Sequence, residues 1–170
     1  MRHALLFAAA TVALAGPASA HWQYTRWGMS PEEVQAANPA LRAGEDRHHS
    51  FAGSLVRLSG TYREGGRDFV VRFGFNGENR LNTVYVQPAV PRDCRRMVAA
   101  VEARLGRGTP RSQIRNILDI RVWQDSAAGN QLQLIAIGNM RAPQSCTIRY
   151  HPPEGPGEPD PPAGKPGSDI

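Results

Sequence analysis

Phe69-Val70-Val71-Arg72-Phe73-Gly74-Phe75-Asn76-Gly77 is the stretch that decides the fold. Phe69, Val71, Phe73 and Phe75 recur at every second position. That period puts four large apolar side chains on one face of an extended chain and Val70, Arg72 and Gly74 on the other. Asn76-Gly77 then supplies a hairpin turn, because Asn and Gly tolerate the positive φ that tight β-turns need. Upstream, Val56, Leu58, Gly60 and Tyr62 share one face while Leu55, Arg57, Ser59 and Thr61 take the other, and Glu64-Gly65-Gly66 turns the chain. Downstream, Leu81 to Val86 reads as a third strand. The three strands form an antiparallel meander.

A helix flanks the meander on each side. In Ser30-Pro31-Glu32-Glu33-Val34, Ser30 is an N-cap, Pro31 sits where its missing N–H costs nothing, and Glu33 completes a capping box. Met29 and Val34 occupy the two positions of a hydrophobic staple, so the spacing predicts a helix from Pro31 to about Asn38, ended by Asn38-Pro39. After Pro91, Asp93 is placed to cap a second helix, in which Cys94, Met97, Val98, Val101 and Leu105 recur at helical spacing until Gly106 stops it.

At Thr109-Pro110, Ile114, Ile117 and Leu118 fit the spacing of a short helical turn, while Leu118, Ile120 and Val122 equally fit a strand; the favoured reading is a turn of helix running into a strand near Asp119 to Asp125. Ala128-Gly129-Asn130 makes a hairpin, Leu132 to Gly138 returns, and Cys146 to Tyr150 closes the domain. The expected fold class is α+β: an antiparallel sheet of about six strands with two helices on one face. Two αβββ units in tandem are suggested by an offset of 63 residues, Ser30 matching Asp93 and Phe69 matching Leu132.

The ends of the chain carry other signals. Met1-Arg2-His3 is cationic, Ala4 to Gly16 is small or apolar, and Ala18-Ser19-Ala20 suits a signal peptidase. Residues 1–20 therefore read as a removable signal peptide, with the mature chain starting at His21 and the protein periplasmic or secreted. Gly16-Pro17 interrupts the apolar run well short of the roughly 20 residues a membrane span needs, so no transmembrane segment is expected in the mature form. Residues 152–170 hold seven of the 14 prolines with almost nothing apolar, which predicts a disordered tail. Residues 21–151 are left as a single domain.

Export also governs the reading of the cysteines. Cys94 and Cys146 are the only two, and an oxidising compartment favours one disulfide between them, worth roughly 4 kcal/mol on a chain-entropy model. Such a bridge would pin the second helix to the last strand.

The chain has 20 basic and 15 acidic side chains. Arg2 falls in the leader, and Lys165, Glu154, Glu158, Asp160 and Asp169 fall in the tail, so the domain keeps 18 basic against 11 acidic residues, a net of +7, and every basic one is arginine. Arginine-only cationic surfaces suit anionic ligands such as phosphates and carboxylates. Nucleic acid is not expected as a partner, because no aromatic-interleaved basic motif is present.

Trp27-Gly28-Met29-Ser30-Pro31-Glu32-Glu33-Val34 resembles a helix opening found in uncharacterised exported bacterial proteins. It is more weakly similar to the SmpA/OmlA outer-membrane assembly lipoproteins and to modules built like the β-lactamase inhibitor protein. The resemblance implies a non-catalytic binding or scaffolding module, and it transfers no binding residue. One departure is clear: no cysteine lies near the leader's end to carry the lipid of the assembly lipoproteins.

Metal ligation has few candidates. His48 and His49, beside Asp46, occupy a polar loop, and mature His21 offers an imidazole together with a free amino terminus, the chelating pair of a copper brace. No nucleophile elbow, zinc-protease helix, phosphate loop or dinucleotide fingerprint occurs, so neither a catalytic residue nor a cofactor is assigned. The expected function is a small exported binding module for a protein or envelope component; the alternative is a hydrolase or metal-dependent enzyme with a dispersed site.

Overall fold

The computed structural model describes residues 21–43, 53–114, 117–139 and 142–153. Residues 1–20, the loop containing Asp46, His48 and His49, and the tail beyond residue 153 lie outside them. A short hairpin, β1 (His21–Trp22) and β2 (Thr25–Arg26), leads into α1 (Pro31–Ala37). Then come β3 (Arg42–Ala43), β4 (Leu55–Glu64), β5 (Arg67–Phe75) and β6 (Leu81–Pro88). A 3₁₀ turn (Pro91–Asp93) opens α2 (Cys94–Leu105), followed by β7 (Thr109–Ile114), β8 (Leu118–Asp125), β9 (Asn130–Asn139) and β10 (Ala142–His151).

Strands β3 to β10 form one antiparallel sheet of eight in the order β3-β4-β5-β6-β10-β9-β8-β7. The α+β expectation of about six strands is therefore corrected: the described residues are mostly β, with only two short α-helices among them. Two strands account for the difference. β3 is two residues long, too short to show any alternation. β7 occupies the segment read as a helical turn, for an instructive reason. Ile114 and Leu118 are cross-strand partners across a turn closed by the Ile117 N–H donating to the Ile114 carbonyl at 2.9 Å. A four-residue spacing therefore marks either a helix face or the two sides of a tight turn. Pro110 is tolerated because β7 is an edge strand, where a missing N–H removes no ladder bond.

Each half of the sheet is one helix with four strands, not three. The starts of α1, β4 and β5 (Pro31, Leu55, Arg67) precede those of α2, β8 and β9 (Cys94, Leu118, Asn130) by the same 63-residue interval. The halves meet where β6 pairs with β10.

One apolar cluster fills the side of the sheet that carries both helices. Leu58, Phe69, Val71, Phe73, Val84 and Val86 contribute from the first half, and Trp123, Leu132, Leu134, Ala136 and Ile148 from the second. Val34 of α1 and Met97, Val98 and Val101 of α2 close over them. Burying a side chain of this size stabilises by about 1.5–3 kcal/mol.

Local chemistry holds α1. Ser30 Oγ accepts from the Glu33 N–H at 3.3 Å, and Glu33 Oε2 accepts from the Ser30 N–H at 2.7 Å, so the capping box is complete. The preceding Gly28 has φ +86°, a conformation that other residues rarely adopt.

α2 is held differently. Asp93 makes no side-chain cap, contrary to expectation, because the 3₁₀ turn already leads into the helix and leaves Asp93 in helical φ/ψ. Its carboxylate pairs instead with Arg67 at 3.3 Å and Arg96 at 3.6 Å. Cys94, the first residue of α2, is bridged to Cys146 in β10, with Cα atoms 5.9 Å apart. The helix is thereby tied to the sheet next to the seam.

Candidate binding face

Strand alternation sends alternate side chains of each strand away from the helices. The register aligns a continuous row of them across all eight strands: Arg42, Ser59, Arg72, Tyr85, Arg149, Gln133, Val122 and Thr109. None of these belongs to the core cluster. The face is not bare: Val56, Thr83, Gln131 and His151, which share it by register, are buried. The outer face thus carries three arginines in one line. Alternation within each strand locates these arginines, but the pairing of distant strands aligns them.

The arginines are positioned. Arg72 Nη1 donates to Gln87 Oε1 at 3.1 Å. Arg149 Nη2 lies 3.4 Å from His151 Nε2, and His151 Nδ1 lies 2.9 Å from the Pro152 carbonyl. The carbonyl can only accept, so Nδ1 carries the proton and Nε2 is left as the acceptor for the guanidinium. Burial first, and then the Arg149 charge, push the His151 imidazole down to about 4, which keeps it neutral in this role at pH 7. Beside it, the side-chain oxygens of Gln131 and Gln133 are buried and accept no hydrogen bond among the described residues.

The β7–β9 corner of the same face is apolar. Ile114, Leu118 and Ile137 form one cross-strand row, and Ile120 pairs with Ile135 in the next. Ile114, Ile117 and Ile137 are 51%, 60% and 46% exposed, three of the five large apolar residues so exposed among the described residues. Clustered exposure of this kind marks an interaction surface, whereas scattered exposure does not. The available signal was the run Leu134-Ile135-Ala136-Ile137, apolar on both faces of its strand.

The helix side uses its charges internally. Arg121 donates to Asp119 at 2.7 Å and to Glu102 at 2.9 Å, and Arg104 forms an ion pair with Asp125 at 2.8 Å. By contrast, Arg42 and Arg72 face no carboxylate among the described residues.

Among the sequence candidates, Cys94 and Cys146 are joined. His48 and His49 lie outside the described residues, and His21 is placed only by its backbone, in β1. No group of three or more His, Cys, Asp or Glu suited to a metal occurs among the described residues. No helix among them is long and apolar enough to cross a membrane. No family model matches the chain, and no curated protein or solved structure is significantly similar to it.

Proposed function

We propose that this is a small exported binding module that takes a protein or envelope partner on the outer face of its sheet, opposite the helices, and does no chemistry on it. The observation that carries this reading is the division of the sheet: helices and core on one side, an arginine row and an isoleucine corner on the other. Such a surface matches a partner that is acidic over part of its contact and apolar over the rest, because charge complementarity sets register while buried apolar area supplies affinity. Export rests on the leader-like residues 1–20, and the disulfide is compatible with it.

Site-specific photocrosslinking in the native envelope tests this reading. A crosslinker at Ile137 or Ile114, both exposed, is expected to capture one discrete partner, and a crosslinker at Arg95, exposed on α2, is expected to capture none. Equal capture from both sides, or none from the outer face, would remove the reading's support. Amino-terminal sequencing of the exported protein should begin at His21.

A further inference from the structure

A concave feature lies on the opposite, helix-bearing side. Where β6 and β10 meet, a cleft of about 370 Å³ opens between the amino-terminal hairpin, α2 and the β8–β9 turn. Its volume is that of a small-ligand site. Val86 and Ile148 lie beneath it, and Met97 and Val101 of α2 flank it.

The remaining wall is aromatic and preorganised. Trp22 meets Tyr62 edge to face, with centroids 5.3 Å apart, and Tyr62 stacks on Phe69 at 5.0 Å. Tyr150 completes the wall from the second half. Burial is the main cause that raises both tyrosine pKa values, so both phenols stay neutral at physiological pH. Neither hydroxyl has a hydrogen-bond partner among the described residues.

The charges at the mouth decide what fits. Arg104 is committed to Asp125 at 2.8 Å. Arg67, opposite Glu64 in the register, directs its guanidinium to Asp93 and to the Gly65 carbonyl. Glu64 therefore remains as an uncompensated carboxylate beside aromatic rings, on a protein whose net charge is positive.

We propose that this cleft binds a small organic ammonium ion with an apolar body of about one ring, the body lying against Trp22, Tyr62 and Tyr150 and the ammonium at Glu64. The ammonium donates to the carboxylate and to phenol oxygens and gains from the ring faces. An anionic ligand meets repulsion at the same point. This site is independent of the outer face proposed for a macromolecular partner.

Ligand-observed NMR with phenethylammonium, 2-phenylethanol and 3-phenylpropionate tests the inference. The amine is expected to bind best and the carboxylate worst, with about tenfold between amine and carboxylate from the charge and ring contacts together. Glu64→Gln is expected to cut the amine's advantage over the alcohol several-fold, leaving the part that the ring faces supply. Glu64 is exposed, so the variant should fold normally, which a thermal melt checks. Ala100→Trp, on the cleft-facing side of α2, is expected to block all three probes. Absence of saturable amine binding, carboxylate binding as tight as that of the amine, or an amine preference unchanged by Glu64→Gln would each overturn the assignment. Binding undiminished by Ala100→Trp would do the same.

Discussion

The two halves of the sheet repeat one layout and secure their helices by opposite means. α1 has seven residues, a complete capping box and a proline in its first turn; α2 has twelve, no side-chain cap and a disulfide. A seven-residue helix is too short to persist without help, so its ends must be chemically satisfied. The longer helix buries Met97, Val98 and Val101 along one stripe and draws on packing and a covalent tie. Equivalent positions in a repeated layout need not share a stabilising mechanism.

Core substitutions should show what the halves have in common. Phe73 is fully buried in the first half and Leu134 in the second. Phe73→Ala is expected to cost about 3–5 kcal/mol and Leu134→Ala about 2–5 kcal/mol in urea unfolding, each through a cavity in the same cluster. If the two transitions separated, so that one half melted before the other, the picture of a single core would fail.

The tie to α2 comes next. Replacing Cys94 and Cys146 together with serine should lower stability by about 2–4 kcal/mol, read by chemical denaturation, with the sheet's circular dichroism retained. An acid titration probes the second half again through His151. Its folded pKa, about 4, lies below the ordinary 6.5, so the unfolded chain binds the extra proton first. Stability should be full above pH 6.5 and fall as the pH drops toward 4, and His151→Gln should flatten that slope.

Smaller effects belong to the surface. Ser30→Ala, which removes the α1 cap, should cost about 1 kcal/mol, visible as a small shift of the denaturation midpoint. Ile137→Ser should change stability by no more than about 0.5 kcal/mol while abolishing crosslinking from Ile114 at the exposed corner of the outer face. A large destabilisation there would mean that the corner is structural.

Legibility in the sequence followed the range of the interactions. The capping box, the β4–β5–β6 meander and the hairpin into β9 were readable because each depends on residues within a few positions of one another. The cysteine pairing was readable because two cysteines admit one intramolecular bridge. β3 was not, being two residues long, and β7 was hidden because Ile114 and Leu118 mimic a helical repeat. The outer face was half-readable: Arg72 and Ile135 could be assigned to the outer side of their own strands, but the line from Arg42 to Arg149 exists only once β6 has paired with β10.

That pairing has a consequence for biogenesis. β10 is the last of the described strands to be synthesised, yet it takes a central place in the sheet. A nascent chain stopped before Ala142 holds two unjoined meanders, and the ladder edge of β6, with Val84 and Val86 beside it, stands open to any passing strand. Cys94 waits through the same interval for a thiol made near the end of the domain. Loss of the final strand therefore does more than shorten the sheet: it severs the halves and strands a reactive cysteine, the combination most prone to aggregation and wrong disulfides.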